Sequence, residues 1–208
     1  MRTQAFIIKK QHANEYDQHI TCYTQELGKL TAVAKSASKS HSVQGMQLNL
    51  MNLVEFELVS GRGMPIITGA QTVRGHRNIK TDLASLGVGY FFLEAVSRIV
   101  FDYERDDGLW NFMADLFDEL DRLPESETIM PLFRHKQKEL LNVMGYLPAL
   151  SAGQADGERG VPEPALAYMQ TNSSLHSPAD AIFEQIAQSR FASLKFIYGI
   201  LSRDNVIS

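Results

Sequence analysis

Short apolar runs separated by glycine-containing turns occupy about the first 75 residues of the chain. In residues 53–59 the pattern has a period of two, so Val54, Phe56 and Leu58 share one face of a predicted strand. The predicted strands lie at residues 5–8, at 19–24, at 29–34, within 46–59 and at 64–73. Five strands in so short a stretch, with glycine at the turns, are typical of a small closed barrel.

A helical period replaces this pattern from about residue 76 onward. Residues 83–103 are apolar nearly all round, which predicts a buried central helix, and residues 106–123 are amphipathic. Further helices are predicted at residues 131–144, from the serine–proline start at residue 177, and through the apolar positions at 191–201. The pattern therefore predicts an α+β protein. Its barrel lies in residues 1–80 and its α-helical domain in residues 81–208, with a linker-like stretch at 151–175.

The second and third predicted strands form a hairpin that delivers lysines to its end. Gly28 lies between them, at a turn that needs a residue tolerating positive φ. The third strand leads into Lys35, Ser36, Ser38 and Lys39, and such a basic, hydroxyl-rich exit is suited to contact phosphates. The alternative is a solvated hairpin edge, whose lysines discourage pairing with other chains. Cys22, in the apolar part of the hairpin, is expected to be a buried core thiol.

The charge is divided unevenly along the chain, although the net charge is −4. Residues 1–82 carry 10 Lys/Arg and 6 Asp/Glu, whereas residues 83–208 carry 10 and 18. A basic front half can bind a polyanion that the acidic back half repels.

Several classes of function are disfavoured by what the sequence lacks. With one cysteine the chain forms no internal disulfide and no multi-cysteine zinc site, so we expect no metal and no cofactor. No metalloprotease, nucleophile-elbow, P-loop or dinucleotide-binding motif occurs, so we expect no catalytic residue and no small-molecule substrate. The start of the chain lacks signal-peptide features, and the longest uncharged run of the helical part is too short to span a bilayer. A cytoplasmic, nucleoid-associated protein without membrane contact is therefore expected.

Motifs spread over about the first 150 positions resemble the RecO family of bacterial recombination mediators. They include an acidic step at Glu15 and Asp17, a T-x-x-x-G-K-L turn at 24–30, an A-V-A-K strand end at 32–35, and a serine and small-residue stretch at 42–48. Further along are an L-x-E-x-E-L-x-x-G-R-G-x-P hairpin at 53–65, an aromatic segment ending in L-E at 90–94 and an L-L-x-x-x-G-Y-x-P stretch at 140–148. The last 60 or so positions match the family poorly.

The resemblance implies an OB-like barrel that binds single- and double-stranded DNA, anneals complementary strands and helps to load recombinase onto DNA coated by single-strand-binding protein. The implied partners are a RecR-like protein and the acidic C-terminal tail of single-strand-binding protein. Two features depart from the family pattern. The basic run after A-V-A-K is thinner here, and the four-cysteine zinc module that often follows G-Y-x-P is absent, as in a shortened member of the family.

The predicted site residues are cations. For DNA they are Lys9, Lys10, Lys29, Lys35, Lys39, Arg62, Arg74 and Arg77, with Tyr16 and Tyr23 as stacking platforms. For the partner tail they are Arg134 and Lys138, although the same helix is equally consistent with an ordinary amphipathic helix with a basic outer face. Two other functions remain open: a protein-interaction adaptor with weak DNA affinity, and an RNA-binding OB-fold protein.

Overall fold

The computed structural model describes residues 1–61, 63–123, 129–146 and 177–204. The predicted linker at 151–175 and Arg62 lie outside these described residues. The strands are β1 (Arg2–His12), β2 (Gln18–Thr24), β3 (Gly28–Ala34), β4 (Leu53–Val59) and β5 (Ile66–Arg74). The described helices are α1 (Val43–Gln47), α2 (Leu83–Ile99), α3 (Asp107–Arg122), α4 (Ile129–Val143), α5 (Pro178–Ile186) and α6 (Ala192–Asp204), with a 3₁₀ turn at Asn78–Lys80.

The five strands form a closed barrel in the order β1-β2-β3-β5-β4, with β4 pairing back onto β1. All pairs are antiparallel except β3 with β5, which is parallel. This arrangement confirms the prediction of an N-terminal five-stranded OB-like barrel followed by helices in an α+β protein.

Two apolar clusters stabilise the fold. The first fills the barrel and includes Ile7, Cys22 and Phe56, all on the inward face of their strands. The second lies outside the barrel, where Phe6 of β1 and its neighbours pack against the helices. The second cluster therefore joins one outer face of the barrel to the helical part.

Helix starts follow the side chains that the sequence supplies for capping. Asp82, Asp106 and Ser177 each accept a hydrogen bond from the backbone N–H three residues later, at the starts of α2, α3 and α5. Pro178 occupies the first turn of α5, as predicted.

Two predicted elements differ from the structure. The stretch 46–59 was expected only to contain a strand, but residues Val43–Gln47 form the short helix α1, capped by the side chain of Ser42, before β4 begins. The central helix was expected to reach residue 103 but ends at Ile99. The chain beyond it turns back to the barrel, where the backbone N–H of Tyr103 donates to the carbonyl oxygen of Lys29.

Gly28 is required both by the hairpin and by this return of the chain. Its φ of +69° confirms the predicted turn conformation. A Cβ atom at this position would lie 2.1 Å from the carbonyl oxygen of Glu104. The glycine therefore lets the connection between α2 and α3 lie directly against the hairpin.

Among the described residues, the helices are all too short or too polar to cross a lipid bilayer.

Candidate nucleic-acid interface

The outer face of β1, β2 and β3 is divided into rows of side chains by the strand register. Phe6 pairs with Tyr23, which pairs with Lys29, and this first row is buried under the helical part. Tyr23 was predicted to be a stacking platform, and the structure shows otherwise. Its ring is 1% exposed, and its hydroxyl donates to the carbonyl oxygen of Asp106 at 3.1 Å.

A β-bulge in β1 directs a lysine onto this outer face. The register shifts between Ile7, which pairs with inward Cys22, and Lys9, which pairs with outward Thr21. With unbroken alternation Lys9 would point into the barrel, because it is two residues from Ile7. The bulge therefore leaves Ile8 under the helices and places Lys9 on the solvent-facing side of the sheet.

The next two rows stay open to solvent. We call them the open face; from β1 to β3 they consist of Lys9, Thr21 and Thr31, and then Gln11, His19 and Val33. All six side chains are exposed or partly exposed, and none is acidic. The hydroxyls of Thr21 and Thr31 lie 3.0 Å apart and share a hydrogen bond.

Two loops meet at the end of this face and hold the predicted basic exit in place. Asp17, in the loop between β1 and β2, accepts a hydrogen bond from the backbone N–H of Ser36 at 2.7 Å, and the backbone N–H of Ser38 donates to the carbonyl oxygen of Tyr16 at 2.9 Å. The Ser36 hydrogen bond and a second one from Asn14 lower the pKa of Asp17, so the carboxylate stays ionised in this role. The lysines that follow β3 are thereby fixed beside the first loop.

Lys35, Lys39 and Tyr16 are the predicted site residues that this arrangement brings together. All three are exposed, and the Lys39 ammonium lies 5.1 Å from the centroid of the Tyr16 ring. Beside Tyr16 and Lys39, the serines Ser36, Ser38 and Ser42 and one acid, Glu15, line an open hollow of about 760 Å³. Hydroxyls, an ammonium and an aromatic ring are the groups that contact phosphates and bases.

Lys29 does not belong to this surface, so its assignment as a DNA contact is corrected. Its amine donates to the carbonyl oxygen of Ser97 on α2 at 3.0 Å and lies 3.3 Å from the carboxylate of Asp102. The residue is 8% exposed. Lys29 therefore connects the barrel to the helical part and has no ammonium available for a phosphate.

The remaining predicted cations lie at different places. Arg74, at the end of β5, forms an ion pair with Asp118 of α3, and Arg77 is exposed in the connection that follows. Lys10 is partly buried on β1, and burial lowers the pKa of its amine. The structure thus brings together Lys9, Lys35 and Lys39 around the open face and places Arg74 and Arg77 near the junction with α3.

On α4, Arg134 is hydrogen-bonded within its own protein, and its assignment to the partner tail stays a prediction. Its guanidinium donates to the carboxylate of Asp180 at 2.8 Å, to Gln137 at 2.7 Å, to Ser177 at 2.6 Å, and to the hydroxyl of Tyr198. Asp180 is fully buried and also accepts from Gln137 and Tyr198. Arg134 therefore connects α4 to α5 and α6.

Lys138, one turn further along α4, remains exposed. Between them Lys136 is buried and lies 3.0 Å from Glu119 and 2.9 Å from Glu139. Lys138 is therefore the fully solvent-facing member of the two predicted tail contacts.

Other chemistry is sparse in the part of the chain that the structure describes. No group of three or more histidine, cysteine or acidic side chains there is arranged to hold a metal ion. Cys22 is fully buried in the barrel, as predicted, and burial raises the pKa of its thiol to about 12.

The residues that sequence reasoning missed are Gln11, His19, Thr21 and Thr31. Polar side chains alternate with apolar ones in β2 and β3, which marks them as outward-facing. That signal was available, but it does not tell which outward residues the helices cover.

Comparisons with known proteins agree with this architecture. Residues 1–76 match the family model described as "Recombination protein O N terminal". The chain is 25% identical over 159 residues to the DNA repair protein RecO of a Thermoanaerobacter species, covering 76% of this chain and 63% of that protein. It is 28% identical over 173 residues to RecO of Geobacter metallireducens, covering 83% and 68%, and 30% identical over 149 residues to RecO of a Roseiflexus species, covering 72% and 51%. The chain therefore spans between about half and two thirds of the length of these relatives.

Proposed function

Because the chain belongs to the RecO family of DNA repair proteins, we propose that it binds single- and double-stranded DNA and anneals complementary strands. In this proposal it also helps to load recombinase onto DNA coated by single-strand-binding protein, in the cytoplasm and at the nucleoid. No bond is made or broken, so binding rests on electrostatics and stacking.

The proposal is supported by the open face and by the exposed cations within it and at its end. Lys9 lies within it, Lys35 and Lys39 lie at its end, and the rows between them carry no carboxylate. Each ammonium that neutralises a phosphate releases condensed counterions, and this release supplies much of the binding free energy. Tyr16 adds an exposed ring on which a base can stack.

The test is a titration of labelled single-stranded DNA at two salt concentrations with the Lys35→Ala/Lys39→Ala double variant. Each lost contact lowers the log–log salt slope on single strands by about 0.7, so the double variant should lose about 1.4. Lys138→Ala is the matched control, because it removes an equally exposed lysine from the helical part. A salt slope that is the same in parent and double variant would contradict the proposal.

The proposed partners are a RecR-like protein and the acidic tail of single-strand-binding protein. For the tail, Lys138 supplies the exposed ammonium on α4, since the Arg134 guanidinium is already bound to Asp180. Fluorescence anisotropy with a tail peptide should show weaker binding to Lys138→Ala than to the parent. If the parent and Lys138→Ala bind the peptide with equal affinity, the tail binds at another surface.

The adaptor function is favoured by the loss of Lys29 and Arg74 to internal ion pairs, which leaves fewer cations for DNA than the sequence suggested. A chain that binds the tail peptide but shows no salt-dependent DNA affinity would support this alternative. Competition between DNA and RNA strands of the same sequence distinguishes the RNA-binding alternative.

A further inference from the structure

A groove lies between the barrel and the helices, directly beside the open face. Its volume is about 600 Å³. One wall is β1 from Ile8 to Lys10, and the others are α2, Leu50 and the first two turns of α6. Lys9 belongs both to this wall and to the open face, so the two surfaces are continuous.

The walls of the groove are mainly apolar and carry two exposed rings. Tyr90, Leu93 and Ser97 recur on α2 at helical spacing, so they form one stripe facing the groove. Tyr90 is 41% exposed, and Phe196, from α6, is 42% exposed. A concave, mainly apolar surface with two exposed aromatic rings suits a ligand that has flat apolar groups of its own.

The free charge of the groove is positive. Neither Lys9 nor Lys10 has a hydrogen-bond or ion-pair partner among the residues that the structure describes, and burial lowers the pKa of the Lys10 amine. Glu94 is the acid in the lining, but its carboxylate lies 2.7 Å from the guanidinium of Arg98 and accepts from Ser193 at the start of α6. Lys10 pairs with inward-facing Ile20, so its side chain leaves the other face of β1, and Lys9 is the unpaired ammonium at the groove. The groove therefore presents one unpaired ammonium group and one neutralised carboxylate.

We propose that this groove holds the bases of single-stranded nucleic acid that leaves the open face at Lys9. The bases stack on Tyr90 and Phe196, and a phosphate contacts Lys9. Single-stranded binding sites combine a cationic track with aromatic platforms in this way, and stacking needs no base sequence. The proposal rests on the DNA-binding function proposed above and extends it from the barrel to the helical part.

Duplex DNA does not suit this groove, because its bases are stacked within the helix and are not available to side chains. The groove therefore predicts a stronger preference for single strands than Tyr16 on the barrel surface provides by itself. An acidic, apolar peptide also matches the lining. Continuity with the open face through Lys9 favours the nucleic acid.

The experiment measures binding of a labelled oligothymidylate of about 12 nucleotides, within the usual range of OB-fold sites. The same strand is also made with abasic sites at one end or the other. Tyr90→Ala and Phe196→Ala should each weaken binding of the intact strand by about fivefold or more, since stacking on one ring is worth about that factor. Tyr90→Phe keeps the ring and should recover the affinity that Tyr90→Ala loses. Phe101→Ala, which removes an exposed ring outside the groove, is the matched control and should also change nothing.

When the abasic sites are at the end that occupies the groove, the parent, Tyr90→Ala and Phe196→Ala should bind the strand with the same affinity. Thermal melts check that each variant is folded. As a second measurement, photocrosslinking with bromouracil-containing strands should attach the parent chain through Tyr90 or Phe196, which mass spectrometry locates.

Several results would overturn the proposal. If Tyr90→Ala and Phe196→Ala bind the intact strand as the parent does, the groove is not a DNA site, although the open face still is. If the alanine variants lose affinity for an acidic peptide but not for DNA, the groove is a peptide site. If the parent itself shows no salt-dependent affinity for single strands, the proposed function fails, and the groove proposal fails with it.

Discussion

Replacing Arg134 tests whether a predicted surface cation in fact holds three helices together. Arg134→Ala removes the guanidinium that faces the fully buried carboxylate of Asp180 at 2.8 Å. It also removes donors to Ser177 and Tyr198, so the connection of α4 to α5 and α6 is weakened. We expect a large loss of stability, whereas a tail-binding arginine would give a loss of peptide affinity alone.

The magnitude follows from what remains around Asp180. Removing one partner of a buried ion pair typically costs about 3–5 kcal/mol, because the other charge stays buried and uncompensated. Here Gln137 and Tyr198 still donate to the carboxylate, so the lower end, about 3 kcal/mol, applies. With a urea m-value of about 2 kcal/mol/M, the unfolding midpoint should fall by about 1.5 M.

The assay is urea unfolding followed by circular dichroism, with Lys138→Ala as the control. That variant removes an exposed lysine from the same helix and should change stability by no more than about 0.5 kcal/mol. The double variant Arg134→Ala/Asp180→Ala should lose less than the sum of the single losses, because the two side chains interact. If Arg134→Ala unfolds at the same urea concentration as the parent, the Arg134–Asp180 ion pair does not stabilise the packing of α4 on α5 and α6.

Three further changes are predicted from single sites. Gly28→Ala should destabilise the protein by more than about 1 kcal/mol in urea unfolding, since its Cβ would clash with a backbone carbonyl, whereas Gly69→Ala, at a similar φ but with open space, should cost less. Cys22, whose thiol pKa is raised to about 12 by burial, should be alkylated only as the chain unfolds, and rapid labelling of native protein seen by mass spectrometry would contradict this. Burial acts to raise the pKa of Asp118, but the hydrogen bond from Arg74 and its charge outweigh burial, so the pKa is lowered. The stability from Asp118 is therefore present above the unfolded-state pKa and lost as pH falls through the lower folded-state pKa. Asp118→Asn should accordingly lower the melting temperature more at about pH 7 than at about pH 3.

Local patterns were sufficient to predict the elements of this protein. Val54, Phe56 and Leu58 alternate along β4 and all point into the barrel, because a strand has a side-chain period of two. Asp106 and Ser177 begin α3 and α5 because their side chains satisfy backbone N–H groups that no helical carbonyl reaches. The signals for these features lie within a few residues of one another, so the sequence by itself determined them.

The availability of each cation was decided by tertiary structure. Lys29 lies on the outward face of β3, as Thr31 does, yet the first is covered by the helices and the second is open. Alternation distinguishes the inside of the barrel from the outside, but it carries no information about which element packs on the outer face. The bulge that turns Lys9 outward is likewise seen only in the pairing of β1 with β2.

The same limit applies to α4, where Arg134 and Lys138 share a stripe of the helix and are both predicted from the sequence to contact the partner tail. Their difference comes from Asp180, which is 46 residues further along the chain and forms an ion pair with the Arg134 guanidinium. A buried carboxylate binds whichever cation the packing of three helices brings to it, and that choice depends on contacts between residues far apart in sequence. Composition and period determined that cations would be present in these segments, whereas tertiary packing determined which of them stabilise the fold and which remain free to bind a ligand.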